Sequence, residues 1–212
     1  NFKNGIDYFL RHVGNKWTIV PHLDIKWEIN FQFISPYTFK AKDDTFRKAI
    51  NSGPLHCSLV PNDTSRNEVS VKPYKKNKYV LHKKSAVAPQ KYTKLGFVPR
   101  IPIGNKLTMI FDVILIPSDN PTDKAIMPGI TFNWGPLEDE DSTRVIVAIQ
   151  KNADGTIQKS STNPKVTVNV NPNVQMLTEI ALGDIELVQF MYTDKILSED
   201  EIETLTNDLD LN

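Results

Sequence analysis

Cys57 and its neighbour His56 are the residue types of a thiol nucleophile and its general base. Adjacent residues of a strand point to opposite faces, so these two side chains cannot hydrogen-bond directly if the segment is a strand. We therefore expect Cys57 to be a small core residue. The other histidines show no metal-ligand spacing, and the chain has no phosphate loop, dinucleotide fingerprint or nucleophile elbow. These residue types give no support for an enzyme.

Two acidic loops carry oxygen ligands of the kind that Ca²⁺ binds. The first runs from Ser118 to Asp123 and contains Asp119 and Asp123; the second is Glu138 to Asp141. We take Asp119 and Asp123 as candidate metal ligands. The alternative interpretation is a solvated acidic loop without a metal.

Aromatic side chains at strand ends can stack on sugar rings. Trp134 precedes Gly135-Pro136 at the end of an apolar stretch and is predicted to be exposed there. Trp27 follows a buried alternation and is predicted to be core. We take Trp134 as a candidate ligand-binding residue, together with Tyr92, Tyr74 and Lys76 from a basic, aromatic stretch of the chain.

Charge is balanced overall but segregated along the chain. There are 25 basic and 25 acidic residues, so no net field steers the protein to nucleic acid. Nine Lys, one Arg and no acid lie between Val69 and Phe111, whereas ten acids and one Lys lie between Glu179 and Asn212. The basic stretch is either a solvated edge that faces an acidic end of this or a neighbouring subunit, or a surface for an anionic polymer. No nucleic-acid-binding motif supports the second interpretation.

Alternating apolar residues predict strands through most of the chain. The clearest alternation runs from Ile25 to Phe33, and the stretch Leu107 to Ile116 is apolar enough for a strand buried on both faces. A helical pattern is confined to the carboxyl end and a short piece at Thr45 to Asn51. Further strands are predicted at 16–20, 55–60, 68–71, 78–82, 130–134, 144–151, 156–159 and 166–170, with Asn152 to Gly155 as a hairpin turn.

The last thirty residues predict a strand, a turn and one capped helix. In the strand, Ile185, Leu187, Gln189 and Met191 should share one face. Ser198 is a good N-cap, and Glu201 three residues later completes a capping box. A β-rich chain without alternating helices favours an antiparallel sandwich or jelly roll.

Length and composition fit one β-sandwich domain over residues 1–212. The single Cys57 excludes an intrachain disulfide. The longest apolar run, Met109 to Pro117, is interrupted by Asp112 and is too short to span a membrane. The chain begins with Asn1 rather than Met, so we expect a processed or excised product.

The carboxyl-terminal pattern resembles the closing element of concanavalin A-like jelly rolls. Tyr192-Thr-Asp-Lys-Ile-Leu-Ser-Glu-Asp-Glu-Ile-Glu-Thr-Leu205 is similar to the end of laminin G-like domains and of the lectin-like domain of clostridial neurotoxins. The resemblance implies an all-β, antiparallel β-sandwich with one short terminal helix. Glycosidases of this fold use Glu-x-Asp-x-Glu on one strand, and Leu182-Gly-Asp-Ile-Glu186 lacks the first carboxylate. We therefore expect no catalytic residues.

Three functional hypotheses follow from this reading. The first is a non-enzymatic binding or attachment module that recognises a glycan or a host-surface receptor through its loops. The second is a structural virion or phage-particle component that assembles by self-association or with other chains. The third is an inactive glycoside-hydrolase-like domain. We favour the first, with an extracellular or virion-associated location.

Overall fold

The computed structural model describes residues 7–23, 25–63, 66–83, 92–116, 124–134 and 143–211. Within these ranges the chain forms seventeen strands and one helix, α1. The first nine strands are β1 (Asp7–Val13), β2 (Lys16–His22), β3 (Ile29–Gln32), β4 (Thr38–Lys40), β5 (Phe46–Ile50), β6 (Ser58–Pro61), β7 (Val69–Lys75), β8 (Lys78–Lys83) and β9 (Thr93–Pro102). The others are β10 (Leu107–Leu115), β11 (Lys124–Met127), β12 (Ile130–Trp134), β13 (Arg144–Lys151), β14 (Ile157–Ser161), β15 (Val166–Val170), β16 (Met176–Leu182) and β17 (Ile185–Thr193), followed by α1 (Glu199–Leu211).

The strands form antiparallel sheets that pack as a sandwich. One sheet has seven strands in the order β14-β13-β10-β17-β8-β7, with β3 also paired to β17. Facing it are a five-stranded sheet, β16-β9-β6-β5-β4, and a three-stranded sheet, β11-β12-β15. Strands β1 and β2 form a separate hairpin. The all-β sandwich of jelly-roll type with one short terminal helix is confirmed.

The main core lies between the seven-stranded sheet and the two sheets that face it. Phe111 and Phe190 contribute from the seven-stranded sheet and Phe132 from the three-stranded sheet, with ring centroids 5.0 to 5.5 Å apart. A second cluster, with Ile110 and Met191, lies on the outer face of the seven-stranded sheet, beneath α1. Strand β10 is therefore buried on both faces, as its apolar sequence predicted.

A bulge in β17 overturns the predicted phase of that strand. Asp112 of β10 is opposite Gln189, but Val113 is opposite Leu187, so Val188 is an extra residue. An extra residue reverses the alternation of the side chains that follow it. Leu187 and Phe190 consequently share the main core, whereas Met191 lies on the outer face.

Two further local predictions are wrong. The alternation from Ile25 to Phe33 gives a strand only at Ile29–Gln32, because Ile25 and Trp27 pack from outside the sheet against the outer cluster. The short helix at Thr45 to Asn51 is instead β5, which pairs with both β4 and β6. Tertiary pairing outweighs a weak helical pattern in so short a segment.

The predicted capping box of α1 is confirmed. The Ser198 N–H donates to Glu201 Oε1 at 3.0 Å, and the Glu201 N–H donates to Ser198 Oγ at 3.1 Å. The box fixes where the helix begins, and Leu205 and Leu209 bury its apolar face on the outer cluster. Among the described helices none is long and apolar enough to span a bilayer.

Candidate ligand groove

Helix α1 is positioned by buried polar contacts at both of its ends. Before the helix, the Gln150 amide donates to the Leu197 carbonyl at 2.9 Å and to Thr108 Oγ1 at 3.1 Å. The Thr108 hydroxyl in turn donates to the Lys195 carbonyl at 2.6 Å. At the other end, Arg144 donates to the Leu209 carbonyl at 2.6 Å. Buried polar groups that are satisfied in this way hold an element in a single position.

Arg144 is itself fixed by a buried carboxylate. Its guanidinium makes two hydrogen bonds to Asp112, Nε to Oδ1 at 3.1 Å and Nη2 to Oδ2 at 2.8 Å. The Asp112 side chain is only 1% exposed. The positive charge of Arg144 also stabilises α1, because a cation near the carboxyl end of a helix interacts favourably with the negative end of the helix dipole. The pair therefore joins the centre of the seven-stranded sheet to the end of α1.

A groove of about 480 Å³ runs between α1 and the edge strand β14. We call it the α1–β14 groove. Its volume lies within the range of small-molecule sites, about 300–1,000 Å³. Its floor is apolar and its rim is polar. The floor is formed by Ile146, Ala148 and Ile202, and the rim by Gln150, Gln158, Lys159, Ser160, Ser161, Thr162, Glu199, Glu203, Thr206 and Asn207.

The strand register explains why polar side chains face the groove. Ala148 of β13 is opposite Ser160 of β14, and Gln150 is opposite Gln158. Opposed residues of antiparallel strands project from the same face. Ser160 and Gln158 therefore stand on the outer face of the sheet, beside the apolar floor. The outer face of this edge strand is polar because α1 covers the centre of the sheet but leaves the edge open.

Several rim side chains make no hydrogen bond or ion pair within the described part of the chain. They are Gln158, Ser160, Glu199, Thr206 and Asn207. Amides and hydroxyls both donate and accept, whereas a carboxylate only accepts. The rim can therefore satisfy a ligand that carries many hydroxyl groups. Glu199 and Glu203 make it unfavourable for an anion.

The structure distributes the predicted ligand-binding residues over different sheets. Trp134 is only 4% exposed, stands opposite Val166 and belongs to the main core, so the prediction that it is exposed is wrong. Tyr92 is 40% exposed just before β9. Tyr74 on β7 is half-buried, and Lys76 is exposed in the β7–β8 turn. The role of these four residues in binding stays a prediction, and none of them lines the α1–β14 groove.

The candidate calcium ligands Asp119 and Asp123 lie outside the described residues, as does the loop Glu138 to Asp141. In the part of the chain that the structure describes, no cluster of His, Cys, Asp or Glu could hold a metal ion. The calcium hypothesis for these loops stays a prediction.

Glu186 has a partner that the sequence did not indicate. His82 Nδ1 lies 2.8 Å from Glu186 Oε1, and Ser70 stands directly opposite His82 in the neighbouring strand. Ser70, His82 and Glu186 are the residue types of a catalytic triad, but a triad needs a hydroxyl that is hydrogen-bonded to the imidazole. The Ser70 hydroxyl instead donates to the His82 carbonyl at 3.4 Å. The geometry fits cross-strand pairing, and Asp184, 9% exposed, is not part of it.

Cys57 is a buried free thiol, as the sequence predicted. Burial disfavours the thiolate and raises the pKa of Cys57 to about 11. His56 is exposed on the other side of the chain. A thiol in this state is a poor nucleophile.

No protein-family model matches the chain, and no curated protein matches its sequence. Among solved structures, the chain is similar to the binding domain of botulinum neurotoxin serotype D, with 11% identity and a TM-score of 0.46. That similarity covers 87% of this chain and 51% of the toxin domain, so the chain spans about half of its length. It is also similar to the Emp46p carbohydrate recognition domain in its potassium-bound form, with 11% identity, a TM-score of 0.34 and coverage of 64% and 94% respectively. The sandwich fold follows from the sheets described above, and these likenesses say nothing about a ligand of this chain.

Proposed function

We propose that this protein is a non-enzymatic binding module and that the α1–β14 groove holds a neutral glycan. The observation that carries the proposal is a saccharide-sized groove in which five rim side chains, those of Gln158, Ser160, Glu199, Thr206 and Asn207, have no partners among the described residues. In this proposal the protein acts outside a cell or on a virion, where it would meet glycans of a host surface.

The chemistry of the groove suits a sugar ring. A pyranose has an apolar C–H face and a rim of hydroxyl groups that both donate and accept hydrogen bonds. The apolar floor formed by Ile146, Ala148 and Ile202 suits the C–H face of the sugar. The side-chain amides of Gln158 and Asn207 suit its hydroxyl groups, because an amide both donates and accepts hydrogen bonds. Glu199 and Glu203 stand at the same rim, so sialylated or sulfated glycans should bind more weakly than neutral ones.

A glycan array followed by calorimetric titration of the bound glycan tests the proposal. Ser160→Trp places an indole in the groove and should lower the affinity by at least about tenfold. Asn207→Ala removes one hydrogen bond, about 1 kcal/mol, and should lower it by about fivefold. Thr167→Trp is the matched control, since Thr167 is exposed on β15 away from the groove.

Both tryptophan variants should keep the far-UV circular dichroism spectrum and urea midpoint of the parent. The proposal fails if no glycan binds, or if Ser160→Trp binds a glycan as well as Thr167→Trp does. Preferential binding of acidic glycans would contradict the expected role of Glu199 and Glu203.

A further inference from the structure

The β1–β2 hairpin presents an apolar face to solvent. Leu10 is opposite Ile19 and His12 is opposite Trp17, so these four side chains project from one face. The exposed fractions are 63% for Leu10, 70% for Trp17 and 56% for Ile19. Apolar side chains grouped in this way mark an interaction surface more often than scattered ones do.

The opposite face of the hairpin contacts α1 through Arg11, and Phe9, 46% exposed, projects from that face as well. Arg11 projects from that face, and its guanidinium lies 3.0 Å from Asp208 Oδ1. Thr204, one turn earlier in the helix, is buried. The hairpin is thus held on the protein by its inner face, which leaves the outer face available to a partner.

Apart from Asp7 at the start of β1, the charged residues of the hairpin are basic. From Tyr8 to Leu23 the chain contains Arg11, Lys16 and two histidines but no acidic residue, although the whole chain has 25 acids. The His12 and Trp17 rings lie 5.1 Å apart between centroids. Exposed Trp and aliphatic side chains edged by Lys or Arg are typical of segments that bind at the interface of an anionic bilayer.

A second basic hairpin, β7–β8, lies at the same end of α1. Arg144, which donates to the Leu209 carbonyl, also lies 6.0 Å from the Tyr74 ring centroid. Tyr74, Lys78 and Leu209 line one small cavity. This hairpin adds the exposed side chains of Lys72, Lys75 and Lys76.

Two acids near this helix end are paired with arginines. Asp208 pairs with Arg11 and Asp112 pairs with Arg144. An apolar face and two basic hairpins around one helix end suit a partner that is both apolar and anionic.

We propose that the apolar face of the β1–β2 hairpin docks the protein on an anionic lipid membrane, with the β7–β8 lysines contacting lipid phosphates. Leu10, Trp17 and Ile19 enter the interface, and the lysines add electrostatic attraction that salt weakens. A protein partner or a second copy of the chain would cover the apolar face equally well. The additional basic hairpin favours a lipid surface, which is anionic over a wide area.

Co-sedimentation with vesicles tests this surface independently of the groove. The protein should bind phosphatidylcholine vesicles that contain phosphatidylserine. It should bind pure phosphatidylcholine vesicles only weakly. Leu10→Ser/Ile19→Ser should lower the vesicle affinity by at least about tenfold. Phe39→Ser is the apolar control, because Phe39 is 47% exposed on β4 and should not contribute.

The electrostatic part is tested by charge reversal. Lys75→Glu/Lys76→Glu should lower the affinity for the anionic vesicles by at least about tenfold. Added salt should also lower the affinity of the parent protein for these vesicles. Lys48→Glu/Lys106→Glu reverses two exposed lysines elsewhere and is the control. Equal loss in both double variants would refute a local basic surface.

Tryptophan fluorescence gives a second readout. Trp134 is buried and Trp27 is half-buried, so a blue shift on addition of vesicles reports mainly on Trp17. No binding to anionic vesicles, or binding without a blue shift, overturns the proposal. A dimer in sedimentation equilibrium that Leu10→Ser/Ile19→Ser abolishes, without vesicle binding, would instead assign the face to a second copy.

Discussion

Asp112→Ala is expected to destabilise the protein by about 3–5 kcal/mol, the usual cost of removing one partner from a buried ion pair. Asp112 is 1% exposed and Arg144 16% exposed, and two hydrogen bonds join them. The alanine would leave the guanidinium with the Leu209 carbonyl but without its carboxylate. The main loss is the uncompensated charge rather than the small change in packing.

A double substitution separates the value of the pair from the cost of breaking it. In Asp112→Leu/Arg144→Met both charges are replaced by apolar side chains, and such exchanges are often close to neutral. The double variant should therefore be more stable than Asp112→Ala. It should still lose the cap on Leu209, so the end of α1 should exchange its amide hydrogens faster than in the parent.

Urea unfolding at neutral pH measures the difference. For a chain of this size each kcal/mol shifts the melting temperature by about 2–4 °C, so Asp112→Ala should melt about 6–20 °C lower. A decrease in the free energy of unfolding of less than about 1 kcal/mol, with an unchanged m-value, would refute the reasoning. It would mean that water solvates Arg144 about as well as Asp112 does. Asp112→Ala should also weaken glycan binding, since α1 is one wall of the α1–β14 groove.

Two further predictions concern α1 and the core thiol. Ser198→Ala should lower the free energy of unfolding by about 1 kcal/mol, because it removes the hydroxyl that accepts a hydrogen bond from the Glu201 N–H. Urea unfolding measures this loss. Ser198→Asp, which keeps a good N-cap side chain, should restore most of it. Cys57 should resist alkylation by iodoacetamide in the native protein and react once urea unfolds the chain, and rapid native reaction at pH 8 would contradict its burial. Since the pKa of Cys57 is raised from 9.0 to about 11 on folding, its contribution to stability is fully present below pH 9 and is lost as the pH rises towards 11.

Features that depend on neighbouring residues were predictable from the sequence. The hairpin at Asn152 to Gly155 forms as expected, with Gly155 at φ 88° and its N–H donating to the Asn152 carbonyl at 2.9 Å. The Ser198 capping box is equally local. In both cases the stabilising contact joins residues no more than three apart, so the sequence contains all of the information.

Features that depend on strand order were not predictable. Trp134 stands beside Gly135-Pro136, which suggested an exposed strand end, but pairing with Val166 turns its indole into the main core. The α1–β14 groove brings residues near 160 together with residues near 203. The unbroken run of polar residues from Gln158 to Thr162 was a signal for an exposed edge strand, although it did not reveal which element lies beside it.

The sequence by itself determined that this protein is a β-sandwich closed by one capped helix, because alternation, turn chemistry and capping act over a few residues. Only the tertiary structure decided which faces are buried. A single extra residue, Val188, changes the face of every side chain after it in β17, and it occurs where β10 and β17 meet. The proposed surfaces depend on the same level of organisation, since α1 lies between the groove and the β1–β2 hairpin and is held there by Asp112 and Arg144.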